Sequence, residues 1–402
     1  MSDLRASSRG AEMASSDVLK FRLFEWRPFW SSAEAVGDPS RIGRRVAVAV
    51  LVTWVALVVL SLLQGQAIGP TTRESFLLDL AMYARFLIAL PLLIAAPAMI
   101  DARVERIVQQ FVSAGVIRER ERGNFNANIE WALKSRDSWS ATISLMIAAY
   151  LYSAAYILIY SQYEFIAPSS WHTVGVGDER VFSFAGWWYV LVSLPIFLYF
   201  VLDFLYRMFL WWQFLKRTAR LDLKLRPFHA DQSAGLGFLH IVLNTLWLPV
   251  FAICVSVAGS LGTLVLWFDV RVAEYRIAVL LFVIILVAIV NLPLTAFSAK
   301  ILAARRQSIL EDGVLASIQI DQFEDKWSSS SETLKLDMLD SPDFSSLIDL
   351  NSAVAGAHKT KTLIRVSEMA RLAFLLFIPF VLVAALELPM KDILARLVEL
   401  LV

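Results

Sequence analysis

Seven stretches of this chain are each apolar for roughly the 20 residues that a helix needs to cross a hydrocarbon layer. They run at about 46–63, 80–100, 139–160, 185–215, 239–268, 277–299 and 372–388. A water-soluble helix keeps a polar face, and these runs have none. In lipid, backbone N–H and C=O groups must bond within their own segment, so each run reads as a helix. The expected fold is all-α: a polytopic transmembrane helix bundle of about seven spans. Composition agrees, with 58% apolar residues, 18% charged residues and a mean hydropathy of +0.61.

The charges are sorted by loop. Of 37 lysines and arginines, 29 fall in residues 1–45, 101–138, 216–236 and 300–371, and only 7 fall in the alternate connections. Cationic loops stay on the cytoplasmic side, so the expected topology is N-in/C-out with a cytoplasmic helical cap. The chain then divides into a cytoplasmic segment 1–45, a six-span bundle 46–299, a cytoplasmic helical segment 300–371, and a last part 372–402. The bundle carries helical loops at 101–138, split near Gly115, and at 216–236. Segment 300–371 extends the sixth span as a helix. It then passes a serine-rich linker (WSSSSETLKL) and enters a helix capped by Ser341 or Asp343. After Pro389 the sequence MKDILARLVELLV places its leucines on one face, which suits a helix lying flat on the outer leaflet. Near the other end, KFRLFEWRPFW (20–30) interleaves rings with cations. It suits either the lipid headgroup layer or a packed cytoplasmic turn.

Several chemistries are excluded. Cys254 is the sole cysteine, so no disulfide or cysteine cluster is expected. The four histidines are scattered, and no metal, haem or other cofactor is expected. No phosphate loop, HExxH, GxSxG or calcium-loop pattern occurs, so no catalytic set is assigned. The first 45 residues lack the apolar core of a signal peptide. The net charge of +1 argues neither for nor against nucleic acid, and no nucleic-acid partner is expected. The lipid bilayer is the expected partner, with a cytoplasmic protein or a second copy of the chain left open.

Polar residues inside the runs are few. Asp203 and Arg207 are four apart near the end of the fourth run. They are expected at the cytoplasmic interface as a snorkelling pair, with Trp211 and Trp212 as belt residues. His240 and Asn244 share a face of the fifth run, and Asn291 precedes Pro293 in the sixth; bonding between these two spans is the simplest role for them. Ala252, Ser256 and Ser260 form a row of small residues suited to close packing. Pro91, Pro97, Pro195, Pro249, Pro293 and Pro379 each remove a helical N–H.

The stretch RPFHADQSAGLGFL (226–239) leads into the fifth run. Gly235 and Gly237 remove side chains at a helix start, where N–H groups favour an anion. Asp231 suits a helix cap. His229 and Asp231 also suit a ligand site, although two ligands do not make a metal centre. Three segments carry a resemblance: RFLIALPLLI (85–94), AGWWYVLVSLPIF (185–197) leading to RLDLKLRPFHADQSAGLGFL (220–239), and SPDFSSLIDLNSA (341–353). Together they resemble a family of proteobacterial multi-pass membrane proteins with an H-P-D-x-A-G-G-L-G-F-like motif. His229, Asp231, Gly235, Leu236, Gly237 and Phe238 match it. Ala230 stands in place of the proline, and Ser233–Ala234 in place of an Ala–Gly pair. The resemblance implies a bacterial inner-membrane location and no particular reaction.

Three functional expectations follow. The first is binding or passage of a small solute or ion near spans 4–6, with His229, Asp231, Gly235, Gly237, Asp203, Arg207, Asn244 and Asn291 as candidate ligand residues. The second is a membrane scaffold or sensor. The third is an interfacial enzyme acting on lipid headgroups through His229 and Asp231.

Overall fold

The computed structural model describes residues 21–25, 39–69, 74–163, 170–176, 179–227, 229–268, 271–327 and 362–387, and three single positions between 345 and 352. Among them, seven helices are long and apolar enough to cross a membrane. They are span 1, Ser40–Leu63; span 2, Leu80–Ser113; span 3, Trp139–Leu158; span 4, Phe184–Arg220; span 5, Gly237–Trp267; span 6, Val272–Asp325; and span 7, Val366–Ala385. The chain is an all-α, multi-pass membrane protein. One hairpin interrupts the helices: β1 (Thr173–Val176) pairs antiparallel with β2 (Glu179–Phe182), with Thr173 opposite Phe182.

Residues 21–25, the loop after span 2 and the loop after span 4 meet at one end of the bundle, called here the basic face. The loops dock through a bridge between Ile117 and Leu223 and through Arg118 and Arg120, both paired with Asp222. The hairpin lies at the other end, the distal face.

Span 5 is the centre and packs mainly on spans 2 and 7. Lipid gives helices no hydrophobic reason to associate, so close van der Waals contact has to hold them. Small residues provide it. A Cβ on Gly259 would sit 2.3 Å from Ala84 Cβ, and one on Gly262 would sit 2.6 Å from Leu80 Cδ2. Span 3 packs on span 4, and span 1 on span 2.

Two prolines shape the helices before them. A proline ring collides with the carbonyl four residues back. Ahead of Pro91 and Pro195 the helices widen into π turns, Ala84–Ala89 and Tyr189–Ser193. The Leu191 carbonyl, four before Pro195, then accepts a bond from Tyr150 Oη at 3.3 Å. A third π turn, Leu51–Val55, lies against both. The Val52 carbonyl accepts from Trp188 Nε1 at 2.9 Å, and the Thr53 carbonyl from Ser193 Oγ at 3.1 Å. Carbonyls loosened by the wide turn thus become links between spans 1 and 4. Pro293 is accommodated differently, in a 3₁₀ stretch, Leu292–Phe297.

Several expectations need correction. The first helix expected in 101–138 is the continuation of span 2 to Ser113. Gly115 then turns the chain at φ 66°, and the second helix is Arg122–Arg136. Of the two places left open for 20–30, residues 21–25 fit the packed one: Phe21 and Leu23 are 0% exposed and Phe24 is 1%. Trp211 is buried in the core and is no belt residue. The helical extension of the sixth run is present as Ser298–Trp327. The serine-rich linker, the outer-leaflet helix after Pro389 and most of the helix expected near 341–353 lie outside the described residues.

Candidate functional site

The candidate residues separate into three places. The first is the loop before span 5. Gln232, Ala234 and Gly235 all have positive φ, so the backbone coils tightly and turns its N–H groups inward. The Asp231 carboxylate fills that coil. Oδ1 accepts from Ser233 N at 2.9 Å and Gly235 N at 3.1 Å, and Oδ2 from Gly237 N at 2.7 Å. A Cβ on Gly237 would lie 2.9 Å from Oδ2, so this position needs glycine. His229 Nδ1 lies 3.1 Å from Asp231 Oδ1, with its ring exposed. Partial burial works against the carboxylate's charge. The three N–H donors and His229 more than offset it, leaving Asp231 below its ordinary pKa range. The anion at this helix start is therefore the protein's own. Asp231 is occupied in shaping the loop, and the geometry does not present it as a base for a bound headgroup.

The second place is the Asp203–Arg207 pair. Both side chains are buried, at 5% and 2%, and do not snorkel. Arg207 Nη2 donates to Asp203 Oδ1 at 3.1 Å, and Nε to Oδ2. Its Nη1 reaches the carbonyls of Leu23 at 2.9 Å and Glu25 at 2.6 Å. The pair thus holds the N-terminal segment.

The third place is a cavity of about 760 Å³ in the basic-face half of the bundle. Span 5 gives Ile241, Asn244 and Trp247, span 6 gives Asn291, span 7 gives Glu368 and Arg371, and span 2 gives Arg103. No lining residue of this cavity comes from span 4; its walls are spans 2, 5, 6 and 7. Asn244 is exposed to the cavity. Asn291 is buried, and its Nδ2 donates to Val287 O at 2.8 Å, one turn back in its own helix. Arg103 Nη1 donates to Thr245 Oγ1 at 3.1 Å, which aims the guanidinium at span 5. Arg371 and Glu368 approach to 4.0 Å at the rim. Two guanidinium groups against one carboxylate leave a surplus positive charge. The rest of the lining is apolar, and in it Ile241 and Phe374 are exposed.

Sequence reasoning singled out Asn244 and Asn291 but missed Arg103, Glu368 and Arg371. All three lie where apolar runs give way to polar sequence and read as loop charges. It also missed a buried network at the distal face. There Asp79 accepts from Trp171 Nε1 at 3.0 Å and from Thr263 Oγ1 at 2.9 Å. Arg85 donates to Ser260 Oγ at 3.0 Å, to Ser256 Oγ at 3.4 Å and to Tyr189 Oη. The row of small residues on span 5 is thus a hydroxyl ladder for an arginine. His172 stacks on Trp171 at 3.7 Å, and burial together with the charge on Arg85 pushes its pKa down to about 3, so it stays neutral. Among the described residues no group of histidine, cysteine and carboxylate side chains converges as a metal site. Compared with family models, with curated proteins and with solved structures, the chain matched none.

Proposed function

We propose that the protein is a bacterial inner-membrane protein whose cavity between spans 2, 5, 6 and 7 binds a small anionic amphiphile from the cytoplasmic leaflet. The cavity carries this reading. It couples two guanidinium groups and two amides to an apolar wall in which Ile241 and Phe374 are exposed. Guanidinium groups suit phosphate and carboxylate oxygens, and an apolar wall suits the attached chain. The sorting of 29 of the 37 lysines and arginines into residues 1–45, 101–138, 216–236 and 300–371 supports a cytoplasmic location for the cavity's end of the bundle, and the resemblance of the 226–239 loop supports a bacterial membrane.

The test is binding of short-chain phosphatidate and of inorganic phosphate to the full chain in neutral-lipid nanodiscs. Phosphatidate is expected to bind and phosphate to bind at least 10-fold more weakly. Arg103→Gln is expected to lower phosphatidate affinity by about 10-fold, the worth of one charge-assisted contact. Equal binding of both ligands would make the site one for free anions. Binding unaffected by R103Q, or none at all, would end the reading.

A further inference from the structure

Residues 21–25 are the one described part of the chain N-terminal to span 1, and they lie in a groove formed by span 2, the helix Arg122–Arg136 and span 4. Phe21 stacks near Phe214, with ring centroids 5.0 Å apart, and Phe24 near Phe204 at 6.5 Å. The main chain between these rings is bonded by charged side chains. Phe24 N donates to Asp101 Oδ1 at 2.7 Å, Arg136 donates to Arg22 O, and Arg207 donates to Leu23 O and Glu25 O. Phe21, Leu23 and Phe24 are all buried, and the main chain, bent at Leu23 and Phe24, is bonded from the walls; side-chain pockets for specificity with main-chain bonds for affinity are how peptides are recognised.

We propose that this groove is a peptide-recognition site, filled in the present structure by the chain's own detachable strap. Its ligand in trans is a polypeptide segment with the strap's pattern: aromatic, any residue, aliphatic, aromatic. Three features support exchange over a permanent wedge. Arg207 keeps Asp203 as a counter-ion and Arg136 keeps Asp137 at 2.7 Å, so lifting the strap leaves neither cation alone. The wall groups bond main chain, so a second peptide of like shape finds the same partners. Asp101 is 2% exposed, and its Oδ2 has no hydrogen-bond partner among the described residues, so residues 21–25 leave one buried carboxylate oxygen in the groove unused. An occupant with one further donor would satisfy the groove better.

Two measurements on the full chain in nanodiscs test this. Hydrogen exchange on the unmodified protein should show the amides of residues 22–25 exchanging at least 100-fold faster than those of span 5. Adding excess acetyl-KFRLFE-amide should speed them further by displacing the strap. Exchange of the strap at the span 5 rate, unmoved by peptide, would make it a fixed part of the core and overturn the proposal. In the second measurement, fluorescein-labelled peptide is titrated by anisotropy into wild type and into the double variant Phe21→Ser/Phe24→Ser. The variant, with a weakened internal strap, should bind at least 10-fold more tightly than wild type, and adding Asp101→Asn should reduce that gain. Equal binding to both proteins, or to neither, would refute it. Should the double variant fail to fold, the exchange experiment decides alone.

Discussion

The residue that does most with least is Asp231. It spends a carboxylate on three backbone N–H groups of a loop held at positive φ by Gln232, Ala234 and Gly235. Asp231→Asn keeps the shape but turns one acceptor oxygen into a donor facing another donor. Leaving such a group unmatched costs about 1–3 kcal/mol, so the variant should melt at a lower temperature at pH 7. The pH dependence has a definite sign. The folded pKa of Asp231 lies below the unfolded value of about 3.9, so the charged form stabilises the fold. That stabilisation is complete above the unfolded pKa and is lost as pH falls through the folded one. The melting gap between wild type and D231N should therefore be constant from pH 7 to about 5 and close below about 4. A gap that persists unchanged to pH 2.5 would mean that the charge plays no part.

At the scale of elements, the contact between spans 2 and 5 is set by Gly259 and Gly262. Gly259→Val places branched carbon where Ala84 Cβ already stands 2.3 Å from a single added atom. Overpacking of this kind costs roughly 1–3 kcal/mol. Gly123, near the start of the helix Arg122–Arg136, has nothing within 4 Å of an added Cβ, so Gly123→Ala should stabilise by about 0.5–1 kcal/mol. Denaturant titration of the two variants should move their midpoints in opposite directions; movement in the same direction would refute this account of the seam. The elements also show what the sequence discloses. Existence of the spans was legible, because a 20-residue apolar run has one solution in lipid. The onward run of span 6 to Asp325 was legible as well, but that of span 2 to Ser113 was not, because in polar sequence lipid no longer sets the stop. The two asparagines of the cavity were visible as polar residues within apolar runs. Arg103 was not, since its role appears only when span 5 brings Thr245 to it across 142 residues. The bond between Phe24 and Asp101 spans 77 residues and was hidden for the same reason, so sequence left the aromatic-basic stretch open between a headgroup layer and a packed turn.

Seen whole, the molecule is polarised along its length. The basic face gathers residues 21–25, the loops after spans 2 and 4, the 226–239 loop and the mouth of the cavity, while the distal face closes over the Asp79 and Arg85 networks. Which face meets the cytoplasm is a question of charge. Moving 29 lysines and arginines across a membrane is opposed far more than moving 7, so the basic face should be inside. The single cysteine, Cys254, is buried, so a Cys254→Ser background offers a clean test. Arg120 on the basic face has a side chain 69% exposed, and its pairing with Asp222 is an exposed one of little energetic worth. Glu274, at the start of span 6 on the distal face, is exposed as well. In bacterial cells with a permeabilised outer membrane, an impermeant maleimide should label Glu274→Cys directly and Arg120→Cys only after the inner membrane is opened. The reverse pattern would invert the molecule and put the cavity's mouth outside. Labelling of both from one side would contradict the seven-span path itself, because these positions are separated by three crossings.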